Sequence, residues 1–247
     1  MKITILGTSH GVPMANKHCS SSMIEIGDRV YFIDAGAPMI EPLLEAGHSM
    51  NDIKAIFITH THMDHVNELP HIVSASTWYF KETSYDVYLS EQSIIEPTVS
   101  FITATGIPTP PTDRIRFTVY NEDTVYDDGT IRVSFLPTKH ITKIGRPAYS
   151  ILVEAEGKRV LFSGDLSWNL GENDLPVYPL LNEVDAYILE MAHFTTDMIV
   201  DYLSALKTKA LYFNHISPRN DYDVMKSLSG VYGYPAAPLY DRDVIEL

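Results

Sequence analysis

The sequence predicts a layered α/β fold in which short buried strands carry functional side chains at their ends. Apolar runs rich in β-branched and aromatic residues recur along the chain, and four of them are followed directly by residue types that bind metals. In layered α/β folds the ends of the strands gather functional groups. Between these runs the sequence pattern predicts helices over Pro38–Ala46, Asp64–Phe80, Glu91–Thr103, Thr195–Leu206 and Asp221–Ser229.

The densest polar segment is the run Thr-His-Thr-His-Met-Asp-His at residues 59–65, directly after a predicted strand. Alternate residues that leave a strand share a side, so His60 and His62 can bind one cation together. Asp64 and His65 lie one turn further on, at the start of a predicted helix, and point toward a second cation. Imidazole nitrogen and carboxylate oxygen suit zinc, manganese or iron(II) better than magnesium or calcium. The segment therefore predicts a metal site.

A site for two metals needs more ligands than these four. His140, Asp165 and His215 each stand just past another short apolar run. Because strand ends meet at one edge of a layered fold, the repeated placement predicts that these three residues join the first four.

The order His-x-His-x-Asp-His, a later His, a Gly-Asp and a last His resembles the metallo-β-lactamase superfamily of dinuclear hydrolases. The opening residues 5–13 resemble the start of the ribonuclease Z branch. The segment Phe32–Gly36 resembles the Asp-x-Gly turn that supports the metal loop in this fold. The resemblance spans nearly the whole chain. It implies a four-layer αββα sandwich, with two halves that divide near Tyr126 and meet at the metal cleft.

The resemblance also implies a role for each ligand. The first metal would be held by His60, His62 and His140, the second by Asp64, His65 and His215, and Asp165 would bridge both. Two cations about 3.5–4 Å apart lower the pKa of a shared water toward neutrality, so that a bridging hydroxide serves as the nucleophile. Zinc is favoured, and manganese or iron accepts nearly the same ligands.

The segment 190–194, Glu-Met-Ala-His-Phe, resembles the Glu-Ala-Thr segment of ribonuclease Z, whose separate later histidine is thought to assist proton transfer. Here His193 would do that second task, with Glu190 orienting a ligand or His193 itself. We therefore expect Asp64, Glu190 and His193 to take part in catalysis. The alternative is a simple helix cap at Thr195 or Thr196 beside an incidental histidine.

Two further residues are candidates for substrate binding. Residues 215–219 resemble the His-Phe-Ser-x-Arg-Tyr segment of ribonuclease Z, although Asn220 replaces the tyrosine. Arg219 either contacts a phosphate or neutralises the carboxylates of the metal site. His10 lies in the first loop, where it either lines the pocket or is simply solvated.

The charge of the chain bears on the substrate. The sequence has 18 basic and 32 acidic residues, which gives a formal net charge of −14 and opposes bulk attraction to nucleic acid. Ribonuclease Z enzymes usually grip transfer RNA with a basic arm. The segment Thr103–Thr112 has turn formers but no basic residue, and is either a connector or a lid over a small pocket.

These observations predict a metal-dependent phosphodiesterase for a small substrate such as a cyclic nucleotide. Three alternatives stay open: a tRNA 3′ processing endonuclease, a hydrolase of carboxylic esters, lactones or thioesters, and a non-catalytic metal-dependent binding protein.

The 247 residues show no composition break, which favours one domain over residues 1–247. We expect a cytoplasmic protein without a membrane partner, because no signal peptide or spanning segment is evident and the single Cys19 excludes an intrachain disulfide. Both a monomer and a homodimer are open.

Overall fold

The computed structural model describes residues 1–169 and 172–247. Most strands begin and end close to the predicted apolar runs. In chain order they are β1 (Lys2–Gly7), β2 (Ser21–Ile26), β3 (Arg29–Ile33), β4 (Ile53–Phe57), β5 (Tyr85–Leu89), β6 (Ile115–Val119), β7 (Val125–Asp127), β8 (Arg132–Thr138), β9 (Ala148–Ala155), β10 (Lys158–Phe162), β11 (Trp168–Asn169), β12 (Glu172–Asn173), β13 (Ala186–Met191), β14 (Leu211–Ile216), β15 (Ala236–Pro238) and β16 (Val244–Glu246).

The helices are short and fall between the strands. They are α1 (Ile40–Glu45), α2 (Met63–Val66), α3 (Leu69–Trp78), α4 (Ile95–Ala104), α5 (Tyr178–Leu181), α6 (Val200–Ala205) and α7 (Tyr222–Ser227). Single turns of 3₁₀ helix cover Met50–Asp52, Gln92–Ile94, Thr142–Ile144 and Thr196–Ile199.

The strands form two mixed sheets of seven strands each. The first has the order β16-β1-β2-β3-β4-β5-β6 and the second the order β15-β14-β13-β10-β9-β8-β7. In both sheets four neighbouring strands pair antiparallel and the remaining pairs are parallel. The parallel pairs align the carboxyl ends of β3, β4 and β5 in one sheet and of β10, β13 and β14 in the other.

Three buried apolar clusters define the layers. One contains residues from both sheets, including Tyr31, Phe57 and Phe135. The second lies between the first sheet and its helices and includes Leu43 of α1 and Ile102 of α4. The third lies between the second sheet and its helices, with Leu203 of α6 and Met225 of α7. The layers therefore follow the order helix, sheet, sheet, helix, and the predicted αββα sandwich is confirmed.

The helix predicted over Asp64–Phe80 is divided into α2 and α3. The backbone NH of Glu68 donates to the carbonyl of Ala35 at 2.8 Å, and the carbonyl of His65 accepts from the NH of Ala35 at 2.8 Å. These hydrogen bonds to the turn that follows β3 replace hydrogen bonds that would continue the helix between α2 and α3. Pro70 then stands in the first turn of α3, where its missing NH costs no hydrogen bond.

The boundary between the two halves also differs from the prediction. Tyr126 lies within β7, which already belongs to the second sheet. At the other end of the chain, β16 returns to the first sheet and pairs with β1, with Ile245 opposite Ile3. The last strand is therefore an edge strand of the first sheet, so the two sheets do not correspond to two successive halves of the chain.

The segment Thr103–Thr112 begins in the last turn of α4 and leads to β6. Ile107 packs against the cluster beneath the outer helices of the first sheet, and Pro110 is buried. This packing agrees with the connector and not with the lid. Within the described residues, no helix is long and apolar enough to cross a membrane.

Candidate metal centre

The metal loop, residues 58–65, connects β4 to α2 at the edge where the two sheets meet. His60 and His62 follow β4, the backbone of His62 is extended, and Asp64 and His65 stand in the single turn of α2. Three of these four side chains are buried, and His62 is half-buried. The loop thus directs four polar groups from one short segment toward the second sheet.

A first group brings His60 and His62 together with His140 and Asp165, each offering a ligand atom within 4.8 Å of the others. Nδ1 of His62 lies 3.2 Å from Nε2 of His140. Oδ2 of Asp165 lies 3.7 Å from Nε2 of His60 and 3.5 Å from Nε2 of His140.

A second group contains Asp64, His65, His215 and again Asp165, all buried and also within 4.8 Å. Oδ1 of Asp165 lies 3.3 Å from Nε2 of both His65 and His215. Oδ2 of Asp64 lies 3.5 Å from His65 and 3.6 Å from His215. Asp165 therefore presents one carboxylate oxygen to each group, which is the arrangement that a bridging ligand requires.

The donor set fits two divalent cations. Nε2 of His60, Nε2 of His65 and Oδ1 of Asp165 are fully buried and have no hydrogen-bond partner among the described residues. Buried polar atoms in folded proteins are almost always paired, so three unpaired atoms that face one another require a ligand. Imidazole nitrogens with carboxylate oxygens suit zinc, manganese or iron.

Burial and neighbouring charges shift the pKa values of the residues in the site. Burial lowers the pKa of His65, but the charges of Asp165 and Asp34 outweigh it and raise that pKa well above its usual value. Burial raises the pKa of Asp165, and the charges of His215 and His65 reverse this and lower it. In His60 burial dominates and lowers the pKa. A metal that binds His65 therefore competes with the proton that the carboxylates of Asp165 and Asp34 favour on its ring.

Asp34 supports the second group from behind. Its Oδ2 lies 2.7 Å from Nδ1 of His65, and its Oδ1 accepts from the NH of Thr59 at 2.8 Å and from the Thr59 hydroxyl at 2.9 Å. A carboxylate on the outer nitrogen fixes both the tautomer and the orientation of a ligand histidine. A Cβ on the neighbouring Gly36 would lie 1.8 Å from the carbonyl oxygen of Asp64, so only glycine permits this close approach.

His193 and Glu190 form a tight pair beside the first group. Glu190 lies within β13, and its Oε1 is 2.6 Å from Nδ1 of His193 and accepts from the NH of Leu166 at 2.9 Å. The ring of His193 lies 4.6 Å from that of His140. Burial lowers the pKa of His193, but the hydrogen bond and charge of Glu190 raise it to about 9. His193 is therefore protonated at neutral pH.

The two candidates for substrate contact lie at the rim. Arg219 is exposed, and its Nη2 donates to the carbonyl of Ala192 at 2.6 Å, beside His193. No ion pair of Arg219 with a carboxylate occurs among the described residues. Burial lowers the pKa of His10, as does the nearby charge of His215. Both residues are thus near the metal groups, and Arg219 keeps its charge available.

The structure brings together all seven residues that the sequence singled out as metal ligands, and adds His193 at their side. His215 lies inside β14 rather than past its end, with φ +50. Sequence reasoning missed Glu91 and Arg146, which bond to Thr61 between two of the histidines. No local pattern marks either residue, because Glu91 and Arg146 are 55 positions apart.

The architecture and the two groups of histidine and aspartate define a metallo-β-lactamase fold. The metallo-β-lactamase fold protein YhfI of Bacillus subtilis superposes with a TM-score of 0.74 over 99% of both chains at 19% identity. The short form of human tRNase Z superposes with a TM-score of 0.73 over 100% of this chain and 99% of that one, at 19% identity.

The chain belongs to the family described as anti-Pycsar protein Apyc1, whose model matches residues 1–177. Ribonuclease Z of Shouchella clausii is 26% identical over 189 residues, which are 74% of this chain and 57% of that protein. The chain thus spans 57–60% of the length of the first ribonuclease Z relatives that it matches. The predicted relationship to the ribonuclease Z branch is confirmed.

Proposed function

We propose that the protein is a dinuclear metal-dependent phosphodiesterase that opens the ring of a cyclic nucleotide. The observation that carries this proposal is the position of Asp165, whose two oxygens face separate groups of histidines at 3.3–3.7 Å. We assign His60, His62 and His140 to one cation and Asp64, His65 and His215 to the other. Zinc is the first choice, with manganese or iron as alternatives.

Two such cations lower the pKa of a water molecule and stabilise the attacking and leaving oxygens of an in-line displacement. Such a displacement also needs a proton donor for the leaving oxygen, and we assign this role to His193. Nδ1 of its ring is bonded to Glu190, which leaves Nε2 to face the substrate. A proton held there at neutral pH can pass to the leaving ribose oxygen.

The atoms of the reaction balance over one turnover. The oxygen of one water bonds to phosphorus and gives up a proton to solvent, one ester bond between phosphorus and the ribose oxygen breaks, and that oxygen takes the proton from His193. His193 then regains a proton from solvent. The product is a nucleoside monophosphate. Glu190 is a positioning residue here, because it holds the ring of His193 through Nδ1 and touches no substrate atom.

Arg219 and His10 suit the non-reacting parts of an anionic substrate. Among the described residues, the Arg219 guanidinium donates one hydrogen bond, to the carbonyl of Ala192, so further donors remain to bind a phosphate oxygen. Nδ1 of His10 is buried without a hydrogen-bond partner in the part of the chain described.

The size of the substrate is inferred from charge. A net charge of −14 disfavours a polyanion, whereas a cyclic nucleotide carries a single phosphodiester charge. Membership of the Apyc1 family and the likeness to ribonuclease Z support phosphodiester chemistry over carboxylic ester cleavage. Cleavage of a tRNA precursor is the second candidate, favoured by the sequence similarity to ribonuclease Z and opposed by the acidic net charge.

The test compares bis(p-nitrophenyl) phosphate with a p-nitrophenyl carboxylic ester after the apo-protein is reloaded with zinc or manganese. We expect metal-dependent cleavage of the diester, abolished in His62→Ala. In His193→Ala we expect kcat to fall by about 10²–10⁴-fold, as is usual when a general acid is lost.

His71→Ala is the matched control. Nδ1 of His71 lies 3.1 Å from Glu68, so it forms the same histidine–glutamate pair three residues apart, but with an exposed imidazole at the start of α3. This variant should keep full activity. Cleavage of the carboxylic ester alone would overturn the substrate class, and inactivity with two metals bound would favour a binding role.

A further inference from the structure

The metal loop is held from outside by a network around Glu91. Oε1 of this carboxylate accepts from Nε of Arg146 at 2.7 Å and from the hydroxyl of Thr61. Oε2 accepts from the hydroxyl of Ser93 at 2.8 Å. Arg146 closes the network, because its Nη2 also donates to Thr61 at 2.7 Å and to Ser93 at 3.2 Å.

The network joins three segments that are distant in sequence. Thr61 stands between His60 and His62 in the metal loop. Glu91 follows β5, and Arg146 lies on the loop between β8 and β9 that also carries His140. Through the bond of Arg146 to Thr61, the network therefore connects the two segments that supply the imidazoles of the first group.

Two imidazoles of the first group, those of His62 and His140, are the least buried ligands of the site. His62 and His140 are half-buried, whereas every member of the second group is buried. His65 in the second group is held by Asp34 at 2.7 Å. The metal loop at His62 is held instead by the hydrogen bonds of Thr61 to Glu91 and Arg146.

We propose that Arg146 and Glu91 are positioning residues that hold His62 and His140 at the spacing needed for the first metal. This inference rests on the proposed dinuclear site and adds an asymmetry to it. The second metal is held by a buried framework, and the first depends on an ion pair at the rim.

Removal of Arg146 distinguishes a positioning role from a purely electrostatic one, because the two predict opposite changes in metal affinity. Arg146 is a cation near a site for a dication, so its removal would tighten metal binding if electrostatic repulsion were the only effect. If Arg146 instead positions the ligands, its removal loosens the site. Loss of a supporting partner usually lowers metal affinity by about 10–100-fold, and an indirect support should give the lower end of that range.

The experiment measures zinc binding without substrate, by equilibrium dialysis against a chelator buffer with metal analysis. In Arg146→Ala and in Glu91→Gln we expect one of the two zinc dissociation constants to rise about tenfold and the other to stay unchanged. Arg146→Lys should regain part of the loss, because an ammonium can bond Glu91 but cannot reproduce the planar fork. Circular dichroism melting shows whether each variant is folded.

Arg116→Ala is the matched control. Its guanidinium bonds Asp86 at 2.6 Å and Ser84 at 3.1 Å, which is the same kind of network on β6. It should leave both dissociation constants unchanged. Double-variant cycles give a second test. The losses of zinc-binding free energy in Glu91→Gln and Arg146→Ala should be non-additive, because both variants break the same network. The losses in Arg146→Ala and Asp34→Asn should be additive, because these residues support different metals.

Two unchanged dissociation constants, or tighter binding in Arg146→Ala, would overturn this inference. Unchanged zinc binding with a raised KM would instead make Arg146 a substrate contact. A folded wild-type protein that binds no metal would overturn the proposed function itself, so the two failures are distinguishable.

Discussion

At the scale of single residues, the site depends on carboxylates that hold imidazoles in place. Asp165 faces both groups, Asp34 holds His65, and Glu190 holds His193. The contacts of Asp34 and Glu190 each join a carboxylate oxygen to Nδ1 of a histidine ring, in surroundings where such bonds are strong. These two carboxylates therefore decide which nitrogen of His65 and of His193 is free to face the site.

The support of His65 by Asp34 leads to a prediction about metal affinity. In Asp34→Asn the negative acceptor for Nδ1 of His65 is lost, and we expect the second zinc to bind about 10–100-fold more weakly. Competition with a chromogenic chelator measures this constant. Asp52→Asn is the control, since Asp52 accepts from the Ser49 NH at 2.7 Å and its hydroxyl at 3.0 Å, outside the metal groups. Equal losses in both variants would contradict the assignment.

At the scale of the elements, the two sheets are also linked at a point away from the metals. Asp128, in the turn after β7 of the second sheet, accepts from the Tyr31 hydroxyl of β3 at 2.6 Å and from Arg29 at 3.0 Å. Its Oδ1 accepts from the backbone NH groups of Thr130 and Ile131 at 2.9 and 3.0 Å. One carboxylate thus joins the first sheet to a turn of the second.

This carboxylate gives the protein a pH-dependent share of its stability. Burial raises the pKa of Asp128, but the bonds from Tyr31 and the turn outweigh it and lower the pKa below its usual 3.8. Because the folded pKa is the lower one, the stability is present above the unfolded value and is lost as the pH falls through the folded value.

We expect Asp128→Asn to unfold about 1–3 kcal/mol more easily at pH 7, since hydrogen bonds to a charged group are lost. The deficit relative to wild type should begin to shrink below about pH 4, where the carboxylate takes up a proton in the unfolded chain, and should be lost as the pH falls through the lower folded pKa. Urea unfolding of both proteins across this range measures it. A deficit that is constant with pH would exclude the charge of Asp128 as its cause.

At the scale of the whole molecule, the charge separates the two candidate substrates. A net charge of −14 repels long polyanions, and the repulsion is screened by salt. We expect turnover of a cyclic nucleotide to hold steady or rise as salt is added, and we expect no cleavage of a precursor tRNA near physiological salt. Binding of RNA that weakens steeply with salt would reveal a basic surface and favour the ribonuclease reading.

The sequence predicted those parts of the molecule that depend on local order. The run from His60 to His65 lies within one loop and helix turn, and His140 and Asp165 follow strands whose apolar pattern is clear. The break after α2 was missed because it depends on hydrogen bonds to Ala35, some thirty residues away. The contact of Arg146 with Glu91 was missed for the same reason, since no local pattern pairs residues across two sheet loops.

Hydrolysis of a cyclic nucleotide can be followed by ³¹P NMR in the presence of the zinc- or manganese-loaded protein. We expect the phosphodiester signal to be replaced by that of a nucleoside monophosphate, and we expect no conversion by Asp165→Asn, which removes the proposed bridge. A folded wild-type protein with two metals bound that leaves every cyclic nucleotide intact would exclude the proposed phosphodiesterase.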